Sequence, residues 1–295
     1  MSIVREFAYL HVLANDICFN RTMSAVSCFV DGKPGGAIPV SDRGFLYGHG
    51  LFETMRLLQG ELPLLEFHLA RLGEDARKLS LNCDLDRLRL ELMDSLNTFP
   101  VQGVVKLILT AGDGRRGYRP HGESKSRCVI QFFELERGPA IHRLQVCDYR
   151  LPHNPVLAGI KHLNRLDQVT AAAELAPGCD GLLLDQEGKV IEALSSNIFV
   201  LSEGQWLTPS LSKAGVSGVM RTVLKREIFP ALGLVATDIE MDLNVLRAAQ
   251  EVFICNAVVG ITPVAEVVGI GRWSMTPQTE LLKTKLAEQY LCFSA

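Results

Sequence analysis

Leu157-Ala158-Gly159-Ile160-Lys161-His162-Leu163-Asn164-Arg165 holds the first chemical clue in the chain. Small or apolar residues lead into Lys161, a setting that points to partial burial. Two readings of the lysine stand side by side. A lysine just ahead of a helix is ordinarily a solvated cation. A desolvated one loses part of its basicity and can form a Schiff base with a carbonyl.

The segments around this stretch read as a mixture of strands and helices. Downstream, residues 164–175 read as a helix closed by Pro177-Gly178. Residues 181–185 and 190–194 flank a polar turn and read as a hairpin, and 198–201 with 205–207 repeat that pattern around Glu203-Gly204. A helix fits 219–229 behind Gly218, strands fit 252–255 and 261–268, and a last helix fits 276–291 with Thr276-Pro277 at its start. Upstream, 27–30, 104–110, 128–133 and 144–149 read as strands. Leu65, Leu69, Leu72, Ala76 and Leu79 recur at helical spacing, and a second helix fits 85–96. Many strands and few helices, without regular βαβ alternation, predict an α+β fold rather than a doubly wound sheet.

Composition limits the function classes. The 295 residues suffice for about two domains, and 47% hydrophobic with 21% charged residues is ordinary for a globular chain. A net charge of -3 gives no electrostatic footprint for nucleic acid or anionic lipid, and no 18-residue apolar run exists to span a membrane. The eight cysteines form no Cys-x-x-Cys pair. They read as free, mostly buried thiols of a reducing compartment. The seven histidines are scattered, so no metal site is expected. Residues 1–22 lack an unbroken apolar stretch of signal-peptide type and read as an extension or an upstream start, with the functional body beginning near Met23.

Gly112, Gly114 and Gly117 spell G-x-G-x-x-G. A dinucleotide fingerprint needs a helix there, and Tyr118-Arg119-Pro120-His121-Gly122 does not start one. The segment reads better as a flexible turn presenting Arg115 and Arg116.

Three further features bear on Lys161. Glu192 ends a predicted strand, as either a surface residue or a carboxylate that keeps a pyridine nitrogen protonated, the arrangement that makes pyridoxal phosphate an electron sink. Arg71 is either an exposed helix charge or a phosphate ligand. Gly218-Val219-Met220 places backbone N–H groups at a helix start, which together with an arginine makes a phosphate cup.

The order of these blocks resembles the fold-type IV, class IV aminotransferase-like pyridoxal phosphate enzymes. The similarity runs through Ser41-Asp42-Arg43-Gly44, Tyr47-Gly48-His49-Gly50-Leu51-Phe52-Glu53-Thr54-Met55-Arg56 and His68-Leu69-Ala70-Arg71-Leu72. It continues through the Lys161 stretch, Glu192 with Ser196-Asn197-Ile198-Phe199, Gly215-Val216-Ser217-Gly218-Val219-Met220-Arg221, and Ile254-Cys255-Asn256-Ala257. It covers about residues 25–290. Within that family, Gly159 through Leu166 and the less specific Asp113-Gly114-Arg115-Arg116-Gly117-Tyr118 are most similar to the aminodeoxychorismate lyases.

The resemblance implies a two-domain, D-amino-acid aminotransferase-like α+β fold with pyridoxal 5'-phosphate in the cleft. The expected division is a small domain over 23–133, a linker at 134–137 and a larger domain over 138–295 carrying the Schiff-base lysine. Lys161 is implied as that lysine and as the proton-transfer base, and Glu192 as partner of the pyridine nitrogen. Arg71 is implied as the phosphate clamp, with backbone at Val219 and Met220 and with Asn256, while Ser195 and Ser196 line the ring. Arg116, Arg56 and His49 are implied as substrate-binding candidates.

The implied reaction converts 4-amino-4-deoxychorismate to 4-aminobenzoate and pyruvate for folate synthesis, in a cytoplasmic homodimer whose partner closes part of the pocket. The alternatives are a branched-chain or D-amino-acid transaminase and a chain that only binds the cofactor. Leu166 and Asn256 stand where branched-chain transaminases usually carry a tyrosine and a threonine, which favours the lyase.

Overall fold

A computed structural model describes residues 27–119, 125–136, 138, 142–274 and 276–294. The segment 1–22, read above as an extension, lies outside the described residues. So do parts of the 134–137 linker and of the loop after Arg119.

Alternation of apolar residues along 104–110 and 128–133 makes them inner strands of an antiparallel sheet. Its five strands are β1 (Ser27–Val30), β2 (Lys33–Pro34), β3 (Gly50–Leu58), β4 (Gln102–Thr110) and β5 (Arg127–Phe133), in the order β2-β1-β5-β4-β3. Helices α1 (Arg43–Tyr47), α2 (Leu65–Lys78) and α3 (Leu85–Leu96) belong to the same lobe. Leu69, Leu72, Ala76, Leu88 and Leu92 pack on Met55, Leu57, Val105, Leu107, Ile130 and Phe132 to form its core. This packing follows the helical spacing of the leucines, because the apolar stripe must meet an apolar sheet face.

Strand β3 has no counterpart among the strands predicted from sequence. Leu51, Glu53, Met55 and Leu57 are buried on one side, and Phe52, Thr54 and Arg56 alternate with them. A carboxylate within the buried set hides the alternation that marks a half-buried strand.

The second lobe is a curled mixed sheet. Its strands are β6 (His142–Leu151), β7 (Asp180–Asp185), β8 (Val190–Ala193), β9 (Asn197–Ser202), β10 (Gln205–Pro209), β11 (Ala236–Ile239), β12 (Glu251–Asn256), β13 (Gly260–Val267) and β14 (Gly271–Arg272). The order is β11-β10-β9-β12-β13-β6-β7-β8, with β14 on β13. The two hairpins expected from sequence are β7–β8 and β9–β10. Between the parallel strands β6 and β7, the crossover contains the Lys161 stretch and helix α4 (Leu166–Ala172), shorter at both ends than the 164–175 pattern predicts.

The segment 219–229 is not one uniform helix. It runs as α5 (Val219–Val223), a π-helical turn Leu224–Ile228 and α6 (Phe229–Ala231). Pro230 has no N–H to donate, so the ladder adjusts in the preceding turn. Helix α7 (Leu243–Arg247) and the terminal helix α8 (Pro277–Gln289) complete the lobe. Thr276 and Pro277 stand at the start of α8 as predicted, but the cap comes from elsewhere. Buried Glu251 accepts from the backbone N–H groups of Gln278 (2.9 Å) and Thr279 (2.7 Å) and from the Thr279 hydroxyl (2.7 Å). The seven described cysteines are all free, and four of them are buried.

The Lys161 stretch joins the lobes. Phe52 N–H donates to Lys161 O (3.1 Å), and Leu163 N–H donates to Gly50 O (3.0 Å), so the stretch adds to the free edge of β3. On its other side, Gly159 N–H donates to Gly215 O and Ser217 N–H to Gly159 O, both at 2.9 Å. Gly48, the left-handed residue after α1 (φ +64°), makes this approach possible. A Cβ there would stand 2.3 Å from Asn164 Oδ1.

Candidate active site

The lysine backbone is fixed before its side chain is considered. Besides the edge bonds to β3, Lys161 N–H donates to Asp75 Oδ2 (3.3 Å) on α2. The side chain then crosses the Phe52 ring, with Nζ 4.3 Å from the ring centroid. Burial brings the Lys161 ammonium down to about 8, and the Arg71 guanidinium pushes the same way, against the pull of Glu53 and Glu192. An amine with that acidity is half neutral at about pH 8, far below the ordinary lysine range, and can act as nucleophile or base.

Glu192, on β8, is buried, and its Oε2 accepts from Val216 N–H (2.8 Å). Burial pushes its carboxyl up to about 7, although the Val216 bond, Arg165 and Lys161 all favour the charge. It is thus no surface strand residue. A buried carboxyl of that kind is suited to share a proton with a basic nitrogen.

Arg71 comes from α2. Its Nε donates to Glu53 Oε1 (2.9 Å), its Nη2 donates to Glu53 Oε2, and its Nη1 donates to Ser217 O (3.0 Å). Asn197 shapes the adjoining turn. Its Oδ1 accepts from Gly218 N–H (3.1 Å), and its Nδ2 donates to Val216 O (2.9 Å). Asn256 shapes the facing one. Its Oδ1 accepts from Val258 N–H (2.9 Å) and Val259 N–H (3.0 Å), and its Nδ2 donates to Ser196 Oγ (3.1 Å).

These groups surround one cavity of about 510 Å³. Arg71, Lys161, Glu192, Ser195, Ser196, Val219 and Asn256 all line it. That volume lies in the range of cofactor and small-molecule sites. Residues 50–267 match the family model described as amino-transferase class IV. The chain belongs to the class IV aminotransferase family.

Similar proteins within and around that family carry two kinds of name. The chain is 32% identical over 247 residues to an aminodeoxychorismate lyase of Vibrio harveyi, covering 80% of this chain and 90% of that one. The crystal structure of 4-amino-4-deoxychorismate lyase from Pseudomonas aeruginosa superposes with a TM-score of 0.85 at 38% identity, covering 89% of this chain and 99% of that one. A D-alanine aminotransferase of Bacillus licheniformis is 26% identical over 95% of this chain and 98% of its own.

For this class IV aminotransferase-family chain, not every sequence candidate reaches the cavity. Met220 is expected to act through its backbone at the start of α5, and its side chain packs into the core beside Val223 and Phe229. His49 Nδ1 accepts from Arg43 Nε (3.2 Å), and its Nε2 lies 3.0 Å from Leu79 O, away from the lining. Arg56 follows Thr54 on the same side of β3, but lies near Cys292 rather than in the cavity wall. Arg116 is exposed on the loop after β4. That loop is tethered: Arg43 Nη1 donates to Gly117 O (3.0 Å), Arg43 Nη2 to Tyr118 O (2.7 Å), and Gly117 N–H to the Tyr47 hydroxyl (3.2 Å).

The structure adds cavity residues that the sequence reading missed. Phe52 and Thr54 come from β3, and Arg165 with Gln168 from the start of α4. Arg165 donates to His162 O (2.9 Å) and acts electrostatically on both Lys161 and Glu192. It sits four residues after Lys161, a spacing that signals one helical face only if the helix has already begun.

Proposed function

We propose that the chain is a pyridoxal phosphate-dependent aminodeoxychorismate lyase, converting 4-amino-4-deoxychorismate to 4-aminobenzoate and pyruvate. The observation that carries this reading is Lys161, a buried amine of depressed basicity, sharing one cavity with a buried carboxyl and an arginine anchored at both ends. The donor set fits the cofactor. Arg71 and the backbone at Val219 suit a phosphate, Glu192 suits a ring nitrogen, and Lys161 suits a carbonyl carbon.

When bound, pyridoxal 5'-phosphate supplies a carbonyl that captures the substrate amine and a protonated ring that draws electrons from the adjacent carbon. Glu192 holds that ring nitrogen protonated from within a buried wall. Lys161 Nζ takes the proton from C4, the substrate carbon bearing nitrogen. The C3–O bond to the enolpyruvyl group then breaks, the six-membered ring becomes aromatic, and the departing pyruvate enolate takes up one proton at its CH2 carbon to become pyruvate. Asp75 and the β3 edge fix the Lys161 backbone from which Nζ reaches the substrate, and Phe52 covers Nζ from one side.

The name of the Vibrio relative, the Pseudomonas structure and the residues Lys161 through Leu166 support the lyase over a transaminase. We assign 4-aminobenzoate release to folate synthesis, and the free thiols fit a reducing, cytoplasmic compartment. We also assign the division into domains 23–133 and 138–295 and a homodimer. Val40, Phe45 and Tyr118 near the tethered loop, and Val156 and Leu166 beside the Lys161 stretch, are exposed apolar residues for a second copy to cover. Arg116, exposed on that loop, stays the candidate for a substrate carboxylate.

The test is pyruvate release by the purified chain from 4-amino-4-deoxychorismate, without a keto-acid acceptor, beside Lys161→Ala. Equal amounts of pyruvate and 4-aminobenzoate from the wild type, and neither from the variant, are expected. Amino transfer to a keto acid without pyruvate release would move the assignment to transaminase.

A further inference from the structure

Arg71 is not held by its cofactor-side contacts alone. Behind it lies Glu53, a carboxylate on the core side of β3 that is almost fully buried and accepts from Nε (2.9 Å) and Nη2 of the same guanidinium. Behind Glu53 lies His68, also buried, with Nδ1 2.6 Å from Glu53 Oε2. Arg71 holds Glu53 well below the usual carboxylate range, at about 2, against the opposing effect of burial, and burial lowers the His68 imidazolium. Glu53 has no proton to give, so the hydrogen in the 2.6 Å contact is on His68 Nδ1. His68 Nε2, at the far side of the ring, is buried without a hydrogen-bond partner among the described residues. Leaving that atom unsatisfied costs free energy, so a purely packing residue at this position would be better apolar.

We infer that Glu53 and His68 form the positioning element of the phosphate clamp: His68 orients the Glu53 carboxylate, Glu53 fixes the plane of the Arg71 guanidinium, and phosphate is read by aimed N–H groups rather than by net positive charge. This rests on the proposed placement of the cofactor phosphate at Arg71. Glu53 and Arg71 cancel in charge, so their bidentate pairing gives direction without adding attraction. Two of the five guanidinium N–H groups point to Glu53 and one to Ser217 O, which leaves hydrogens on Nη1 and Nη2 for a ligand.

Charge and geometry give opposite signs for one variant. Glu53→Gln makes the site more positive by one charge, so attraction alone would tighten phosphate binding. Loss of the fixed fork would weaken it, by about 10- to 100-fold if it behaves like the outer partner of a metal ligand. The full-length chain, freed of cofactor, is titrated separately with pyridoxal 5'-phosphate and with pyridoxal, and binding is followed by visible absorbance and intrinsic fluorescence. The wild type should prefer the phosphorylated form. Glu53→Gln should lose most of that preference, read as the ratio of the two affinities at one pH so that any effect of the lost charge on Lys161 cancels. His68→Leu should lose part of it, and His68→Asn, which keeps an N–H donor near the Nδ1 position, should restore it.

If the wild type does not distinguish the two ligands, the phosphate placement itself fails. If it does, and Glu53→Gln binds pyridoxal 5'-phosphate as tightly or more tightly, the positioning inference is overturned. Should Glu53→Gln not fold, His68→Leu read against His68→Asn decides. Equal phosphate preference in those two variants overturns the inference.

Discussion

Replacing Lys161 by methionine should destroy activity and stabilise the cofactor-free chain. The fall of the ammonium from its ordinary 10.5 to about 8 corresponds to about 3 kcal/mol at 1.36 kcal/mol per unit. The cavity admits some water, which screens the charge, so about 1–3 kcal/mol is expected. Between pH 8 and 10.5 the unfolded chain binds more protons at this residue than the folded one does. The cost is therefore complete below pH 8, where the buried amine is charged, and fades as pH rises toward 10.5. Lys161→Met removes it and fills the same space with an apolar side chain. At pH 7 the variant should melt several degrees higher, at about 2–4 °C per kcal/mol for a chain somewhat smaller than this one. Near pH 10.5 the gap should nearly vanish, because other titrating groups act on both chains alike. Thermal or urea unfolding of the two cofactor-free proteins at pH 7 and pH 10 measures this. A variant no more stable at pH 7, or a gap that persists unchanged at pH 10, refutes the burial argument. Added pyridoxal 5'-phosphate should reverse the order, since the chain that retains the amine binds it more tightly and gains more stability from it.

Three other perturbations test separate parts of the molecule. Glu192→Gln should leave cofactor bound but slow pyruvate release by about a hundredfold or more, because an amide cannot share a proton with the ring nitrogen; single-turnover assays and the absorbance spectrum read this. Gly218→Ala would place a Cβ 2.0 Å from Asn197 Oδ1, so it should disrupt the turn before α5 and weaken pyridoxal 5'-phosphate binding at a stability cost of about 1–3 kcal/mol, read by ligand titration and melting. Glu251→Ala removes an acceptor of three hydrogen bonds at the start of α8 and should cost about 2–3 kcal/mol in unfolding experiments without changing the cofactor spectrum.

What was legible in the sequence, and what was not, follows from how locally each feature is encoded. The hairpins around 186–189 and 203–204 were legible because turn residues and flanking apolar runs are neighbours in the chain. The family order of Arg71, Lys161 and Glu192 was legible for the same reason: each lies in a short block with its own pattern. Strand β3 was not, because Glu53 occupies a place where the pattern calls for an apolar residue. Arg71 accounts for that carboxylate, since Glu53 is the buried charge and needs the guanidinium as its counter-ion. The residue that confused the fold pattern is thus one the candidate site uses. Local rules fail at functional positions more often than elsewhere because those positions answer to a second requirement.

Arg165 shows the complementary failure. It stands at the boundary of α4, where a charge reads as a solvated helix end, and only the docking of the preceding stretch onto β3 turns it toward the cavity. Glu53 and Arg165 carry opposite charges and lie on opposite lobes, and each acts electrostatically on Lys161. The acidity of that amine is therefore a property of the contact between the lobes. Loosening that contact, for instance through Gly48→Ala, should relieve the burial and return the amine toward its ordinary basicity even though no charged residue has been changed.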